Sequence, residues 1–429
     1  MKTRLALCAL VASGTFAFSV PVAFADSTKA AIVKTYGDIA QAMYEDSHSR
    51  AKDLQAAIDA LIAGPSRQTH AAAKRAWVKA RRPYQQTEVY RFGNKIVDEW
   101  EGKVNAWPLD EGLIAYVDKS YGTKSDSNPL YTANVIANKS IQIGGKAVDT
   151  SKITKELLSE TLHEAGKVEA NVATGYHAIE FLLWGQDLNG TGPGAGKRSH
   201  TDYIQGKGCT NDNCDRRVAY LKTVTDLLVD DLAWMAEQWK AGGAARKPLE
   251  ASADAGITAI LTGIGSLSYG ELAGERMKLG LLLHDPEEEH DCFSDNTHNS
   301  HYYNIVGIRG VYFGSYTRID GKVVTGPSLA GLVKKTSPDL AIEMKTKLDA
   351  TFVAARAMKA RAEKVEAYDQ MIGDKNPEGN ATVQKVIDGL TEQTKTLERI
   401  VAALKLQPIK FEGSDSLDEP KKVFEKKKS

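Results

Sequence analysis

Apolar residues recur at steps of three and four almost from one end of this chain to the other. Ile32, Tyr36, Ile39 and Met43 set the pattern, and Leu54, Ile58 and Leu61 continue it until Gly64 and Pro65 stop the helix. A second helix is expected from about Arg67 to Phe92, bent at Pro83. Residues 93–148 read as mixed, with turns at Trp107-Pro108 and Asn128-Pro129. Helical periodicity returns from about Thr154 to Trp184, and again over about Arg216–Lys240, Ala253–His284, Pro338–Met371 and Ala381–Leu404. No segment alternates with period two for long, which leaves no room for a substantial sheet. The expected fold is all-α, with two helical-bundle domains. Similar helix numbers in the two halves leave an ancient duplication open. The glycine-rich stretch 185–208, with the Cys209 and Cys214 pair behind it, is the expected boundary. That gives an N-terminal bundle over 26–205, a C-terminal bundle over 206–410 and a charged tail over 411–429.

The first 25 residues read as a secretory signal. Lys2 and Arg4 precede an apolar run from Leu5 to Val20, and Ala23-Phe24-Ala25 supplies small residues for cleavage. The run is broken by Ser13, Gly14, Thr15 and Ser19 and is too short for a membrane anchor. The mature chain is expected in the periplasm with no membrane span; peripheral association with the outer membrane stays open. The full sequence balances 55 basic against 55 acidic residues, and losing Lys2 and Arg4 leaves the mature chain slightly acidic. Nucleic-acid binders carry a clear basic excess, so that class is excluded. Cys209 and Cys214 read as a small loop-closing disulfide in an oxidising compartment, with zinc as the weaker alternative.

Chemistry concentrates at Gly175-Tyr176-His177-Ala178-Ile179-Glu180. Three residues apart on a helix is one face, so His177 and Glu180 can present an imidazole and a carboxylate to one ion. A solvated surface pair would satisfy the same spacing. Ile179, Phe181, Leu182, Leu183 and Trp184 argue against solvation, and a buried carboxylate needs a cation or hydrogen bonds. Partners must come from elsewhere. Trp77, Arg81, Tyr84, Glu88 and Arg91 form one helical stripe, in which Glu88 is the ligand candidate and the arginines read as structural ion pairs. Asp110, in Trp107-Pro108-Leu109-Asp110, adds a second candidate carboxylate. The predicted metal site is therefore His177, Glu180, Glu88 and Asp110. A second cluster, His284 to His301, holds four of the nine histidines within 18 residues. It reads either as a second metal site or as an acidic solvated loop.

Gly175 to Gly185 resembles the signature of the imelysin family of exported bacterial proteins, which includes iron-regulated protein A-like members. Trp77, Arg81, Tyr84 and Glu88, and then Trp107 to Asp110, match the family's first half. Gly274-Glu275-Arg276-Met277, Phe293 to His298 and Gly307 to Tyr312 match its second half. The resemblance implies two bundle-like domains with the motif near their interface, and a role in iron acquisition beside an iron-transport component of the envelope. It also carries a metallopeptidase label. The residues do not support a zincin: Ala178 follows His177, Phe181 stands at i+4, and His163-Glu164 is followed by Lys167 where a second His is required. The expected ion is iron, with zinc as the alternative. The other readings are a metallopeptidase and a non-metal module for a peptide, heme or polysaccharide.

Overall fold

The structure is a computed structural model that describes residues 20–426, with side chains over 28–424. Most of the leader reading falls on residues 1–19, which lie outside the described residues. The fold is all-α apart from two antiparallel hairpins, β1 (Ser140–Ile143) with β2 (Lys146–Asp149) and β3 (Ser315–Thr317) with β4 (Val323–Thr325).

Helix α1 (Val20–Ala63) ends at the Gly64-Pro65 stop. Ser66 then caps α2 (Arg67–Thr87), its hydroxyl accepting the Thr69 N–H at 3.1 Å. Helix α2 runs through Pro83 and tightens into a 3-10 turn at Glu88–Tyr90. Next come α3 (Lys95–Asn105), α4 (Gly175–Trp184) and α5 (Cys214–Gln238). Helix α6 (Ala253–Ser266) continues as a π-wound segment, Leu267–Lys278, and a last α-turn pair, Leu279–Leu283. The chain closes with α7 (Thr297–Phe313), α8 (Pro338–Lys364) and α9 (Pro377–Ala403).

Helix α1 lies along α2 and α5, and α4 packs on α5, α2 and α3. On the other side, α9 packs on α8 and on the π-wound segment, while α7 joins the two groups by packing on both α2 and α8. Helix α5 begins after residue 205, yet its neighbours are the N-terminal helices. The Cys209–Cys214 disulfide is formed and Cys292 is a buried free thiol. No described helix is long and apolar enough to cross a membrane.

Two local expectations change. The helix expected over Thr154–Trp184 is broken: a π-turn at Leu157–Leu162 is followed by left-handed Glu164 (φ 53°) and Lys167 (φ 62°), and α4 starts only at Gly175. His163 and Glu164 therefore share no helix with Lys167, which removes the geometric basis of a zincin there. The start of the charged tail also packs rather than trailing in solvent. Phe411 lies against Gly265 closely enough that a Cβ there would meet its ring at 2.3 Å, and Ser416 donates to the Gly274 carbonyl at 2.9 Å.

Candidate metal centre

Every residue of α4 is buried, as expected of a helix apolar all round. Its first residue, Gly175, has φ +78°, and a Cβ there would come within 2.4 Å of the Val104 carbonyl oxygen. Only glycine permits both that backbone and that approach to the end of α3. Trp77 of α2 pins the same turn by donating its indole N–H to the Tyr176 carbonyl at 2.9 Å.

His177 and Glu180 are each 0% exposed. His177 Nδ1 and Glu180 Oε2 are 2.9 Å apart and share one hydrogen bond. The other carboxylate oxygen, Oε1, accepts from the Ser294 N–H at 3.0 Å and from its hydroxyl at 2.6 Å. Both Glu180 oxygens are thus engaged by protein partners. Burial, then the neighbouring charge of Asp291, pushes its carboxyl well above the usual range against the pull of Ser294 and Arg81. Burial, reinforced by Arg81, holds His177 well below the usual imidazole range, so the ring is neutral. Its Nε2 is buried and has no hydrogen-bond partner.

What faces His177 comes from the expected second cluster. The His290 ring lies edge-on at 4.8 Å between centroids, and Trp107 covers the histidine at 5.1 Å. One ligand atom each from His177, His290 and Asp291 falls within 4.8 Å of the others, all three residues being buried. Asp291 Oδ1 accepts from Arg81 at 2.7 Å, and Oδ2 accepts from Asn296 at 2.7 Å and Ser300 at 2.6 Å. Burial raises the Asp291 carboxyl, but Arg81 overcomes it and holds the group well below the ordinary range. Arg81 also donates to Asn105 and to His290 Nδ1 at 3.2 Å. His290 itself is brought down to about 4 by burial and by Arg276.

The four residues predicted from sequence thus separate in role. His177 and Glu180 are together. Glu88 is instead bound to Arg276 at 2.6 Å, and Arg276 also pairs with Glu271 at 2.6 Å. Asp110 accepts from the Asn128 amide beside the start of the short helix Glu111–Ile114. His290 and Asp291 were visible only as part of a histidine-rich run, read as a separate site. The run is neither a solvated loop nor wholly separate, because His290 and Asp291 fold directly onto His177. Arg91 is the structural ion-pair residue expected of it, reaching Asp98 at 2.8 Å and Glu271 at 3.4 Å.

A cleft of about 600 Å³ reaches His290 from outside, lined by residues that include Arg91, Glu101, Asn105, Trp107 and Arg276. Glu101, at its wall, is pushed up to about 7 by burial and by Glu88.

Two imidazoles and a carboxylate are a donor set that first-row metals accept. The orphaned, buried Nε2 of His177 fits such a role, with Glu180 on the opposite nitrogen in the position of an orienting carboxylate. The Arg81 guanidinium makes the pocket unusual, since any ion here would share Asp291 with it.

The family model described as Imelysin matches residues 40–397. Two solved structures share the fold. One, described as an iron-regulated protein A precursor from Parabacteroides distasonis ATCC 8503, is 18% identical with a TM-score of 0.63, covering 88% of this chain and 95% of that one. The other, an imelysin-like protein from Psychrobacter arcticus 273-4, is 14% identical with a TM-score of 0.56, covering 90% and 98%. No curated protein matches the sequence. With the buried Gly-x-His-x-x-Glu helix at its centre and the family match running from α1 to α9, this chain belongs to the imelysin family.

Proposed function

We propose that the chain is an exported, periplasmic metal-binding protein whose ion is iron and whose role lies in iron acquisition. The observation that carries the reading is the lone Nε2 of His177, buried beside His290 and Asp291. A buried nitrogen without a partner costs stability unless a ligand satisfies it. His177, His290 and Asp291 are the ligands in this reading, and Glu180 orients His177 through Nδ1. Glu88 and Asp110 are left out because the ligand atoms gathered around His177 come from His290 and Asp291, while Glu88 pairs with Arg276 and Asp110 with Asn128. Two imidazoles and a carboxylate suit iron and zinc alike, and iron is chosen for the iron-regulated description attached to the Parabacteroides structure. The two bundles of this reading meet at the site, with α5 assigned to the N-terminal one because it packs on α1 and α4.

The test is metal analysis of protein purified without chelator, loaded in parallel with Fe(II), Fe(III) and Zn(II). The expected result is about one iron per chain, lost in His177→Ala and in His290→Ala. Equal metal content in the wild type and both variants would sink the reading, and preferential retention of zinc would overturn the choice of iron.

A further inference from the structure

Past the end of α9, residues 404–426 lie beyond the stretch matched by the family model. Part of that segment, 411–418, is laid across the start and middle of the π-wound helix Leu267–Lys278. Three glycines receive it. A Cβ at Gly265 would run into the Phe411 ring, and one at Gly274 into the Ser414 side chain. A Cβ at Gly270 would come within 2.6 Å of the Glu412 carbonyl oxygen. Polar contacts fix the seat. The Glu412 N–H donates to Ser266 Oγ at 3.1 Å, the Ser416 hydroxyl to the Gly274 carbonyl at 2.9 Å, and the Tyr269 hydroxyl to Asp418 at 2.6 Å. Ser414 and Ser416 are buried by these contacts.

The winding of this helix ties the seat to the cleft. An α-helix brings residues three and four apart onto one face and turns residues five apart away from each other. A π-helix bonds i to i+5, so residues five apart come together. Gly265 and Gly270 are five apart, and both meet the segment 411–418. Glu271 and Arg276 are also five apart, and they pair at 2.6 Å in the wall of the cleft that reaches His290. The Leu279 N–H bonds the Gly274 carbonyl five residues back, the same oxygen that Ser416 holds. From its place in this register Arg276 donates to Glu88 at 2.6 Å and to Asn304 of α7 at 3.3 Å, and its charge adds to burial in keeping His290 neutral. π-winding is mostly confined to single turns. Here it is sustained over 12 residues, which calls for support from outside the helix.

We propose that residues 411–418 are a positioning strap: they lock Leu267–Lys278 in its π register, and that register sets Glu271 and Arg276 into the cleft wall beside the metal centre. Without the strap the helix relaxes to α bonding. Glu271 and Arg276 then turn apart, and Glu88 loses its guanidinium. The placement of Arg276 is independent of the ion. Only the consequence for iron rests on the function proposed above.

The experiment uses the full mature chain and two strap variants, Gly270→Ala and Ser416→Ala. Alanine favours a helix over glycine, so harm from Gly270→Ala comes from displacing Glu412 and not from weakening the helix. Ser416→Ala removes one hydroxyl and carries the test should Gly270→Ala fold poorly. Hydrogen exchange at the amides of 411–418 is expected to be about tenfold faster in each variant than in the wild type. A double-mutant cycle on metal-free protein then tests the link to the cleft. The shift in urea midpoint caused by Arg276→Gln should be at least halved in either strap variant, because Arg276 has already left its partners. Ser416→Thr, which keeps the hydroxyl, should restore the full shift. An Arg276→Gln shift of equal size with and without the strap substitutions, or a strap that exchanges no faster in either variant, would overturn the proposal. In iron-loaded protein both strap variants should bind about tenfold more weakly. Absence of iron from the wild type would sink the metal reading and leave the cycle to decide the strap.

Discussion

At the scale of single residues, the centre is organised by Arg81 as much as by His177. Arg81 is 1% exposed and its partner Asp291 is fully buried. Removing one member of such a pair leaves the other charge uncompensated, which costs roughly 3–5 kcal/mol. Arg81→Ala is accordingly expected to lower unfolding stability by about that amount in urea titration, far beyond the effect of Arg91→Ala at the partly exposed network. A drop under ~1 kcal/mol would mean that Asp291 is satisfied without the guanidinium. Glu180→Gln should behave differently. Glutamine can keep the Ser294 contacts through its carbonyl oxygen, so the fold survives. It cannot hold His177 as a carboxylate does, and metal affinity is expected to fall about 10–100-fold. Unaltered affinity would reduce Glu180 to packing. The sequence revealed His177 and Glu180 because three-residue spacing inside an apolar helix is a local signal. It misdirected Glu88, since the arginine that claims it lies 188 positions away. No local pattern reports that partner.

At the scale of elements, the long amphipathic helices were legible, whereas α3, α7 and the connections were not. The expected α8 and α9 differ from the observed ones mainly at their ends, because long amphipathic periodicity is a summed signal. The stretch 157–174 fails for the opposite reason: its apolar residues keep helical spacing, but tertiary contacts hold it as a π-turn and loop. Asn171 illustrates this, its amide reaching the Ala165 carbonyl at 2.7 Å while its own oxygen accepts from Asn128 at 2.8 Å. The break matters because it lets α4 start at Gly175, hard against Val104. Gly175→Ala must strain a positive φ and displace backbone, a loss expected at about 2 kcal/mol or more. The readout is the denaturation midpoint together with metal content, since α4 would shift and carry His177 with it. A variant as stable as wild type and fully loaded would show that the close approach is not needed.

At the scale of the whole molecule, buried ionisable groups set a pH dependence with opposing parts. His70 and His298 are both lowered to about 4, first by burial and then by nearby lysines. Their folded pKa lies below the unfolded value near 6.5, so the unfolded chain takes up protons first and stability is lost as pH falls from ~6.5 toward 4. Glu101, Glu111 and Asp369 are raised to about 7, burial being the largest cause in each. Here the folded state binds protons more tightly, so their contribution is present below pH ~4 and is lost as pH rises through 7. Each shift is worth roughly 3 kcal/mol at full strength, and the same directions hold for His177, His290 and His301 and for Glu180, Glu289 and Asp295. Above pH ~5.5 each depressed histidine has about one pH unit of gain left and each raised acid more than one of loss, so the acids prevail. Metal-free protein in EGTA is therefore expected to melt higher at pH 5.5 than at pH 8, the reverse of a protein limited by its histidines. A Tm that climbs steadily from pH 5.5 to 8 in EGTA would show that the buried acids are already neutralised by protein partners, and that the histidines alone set the acid limit of the fold.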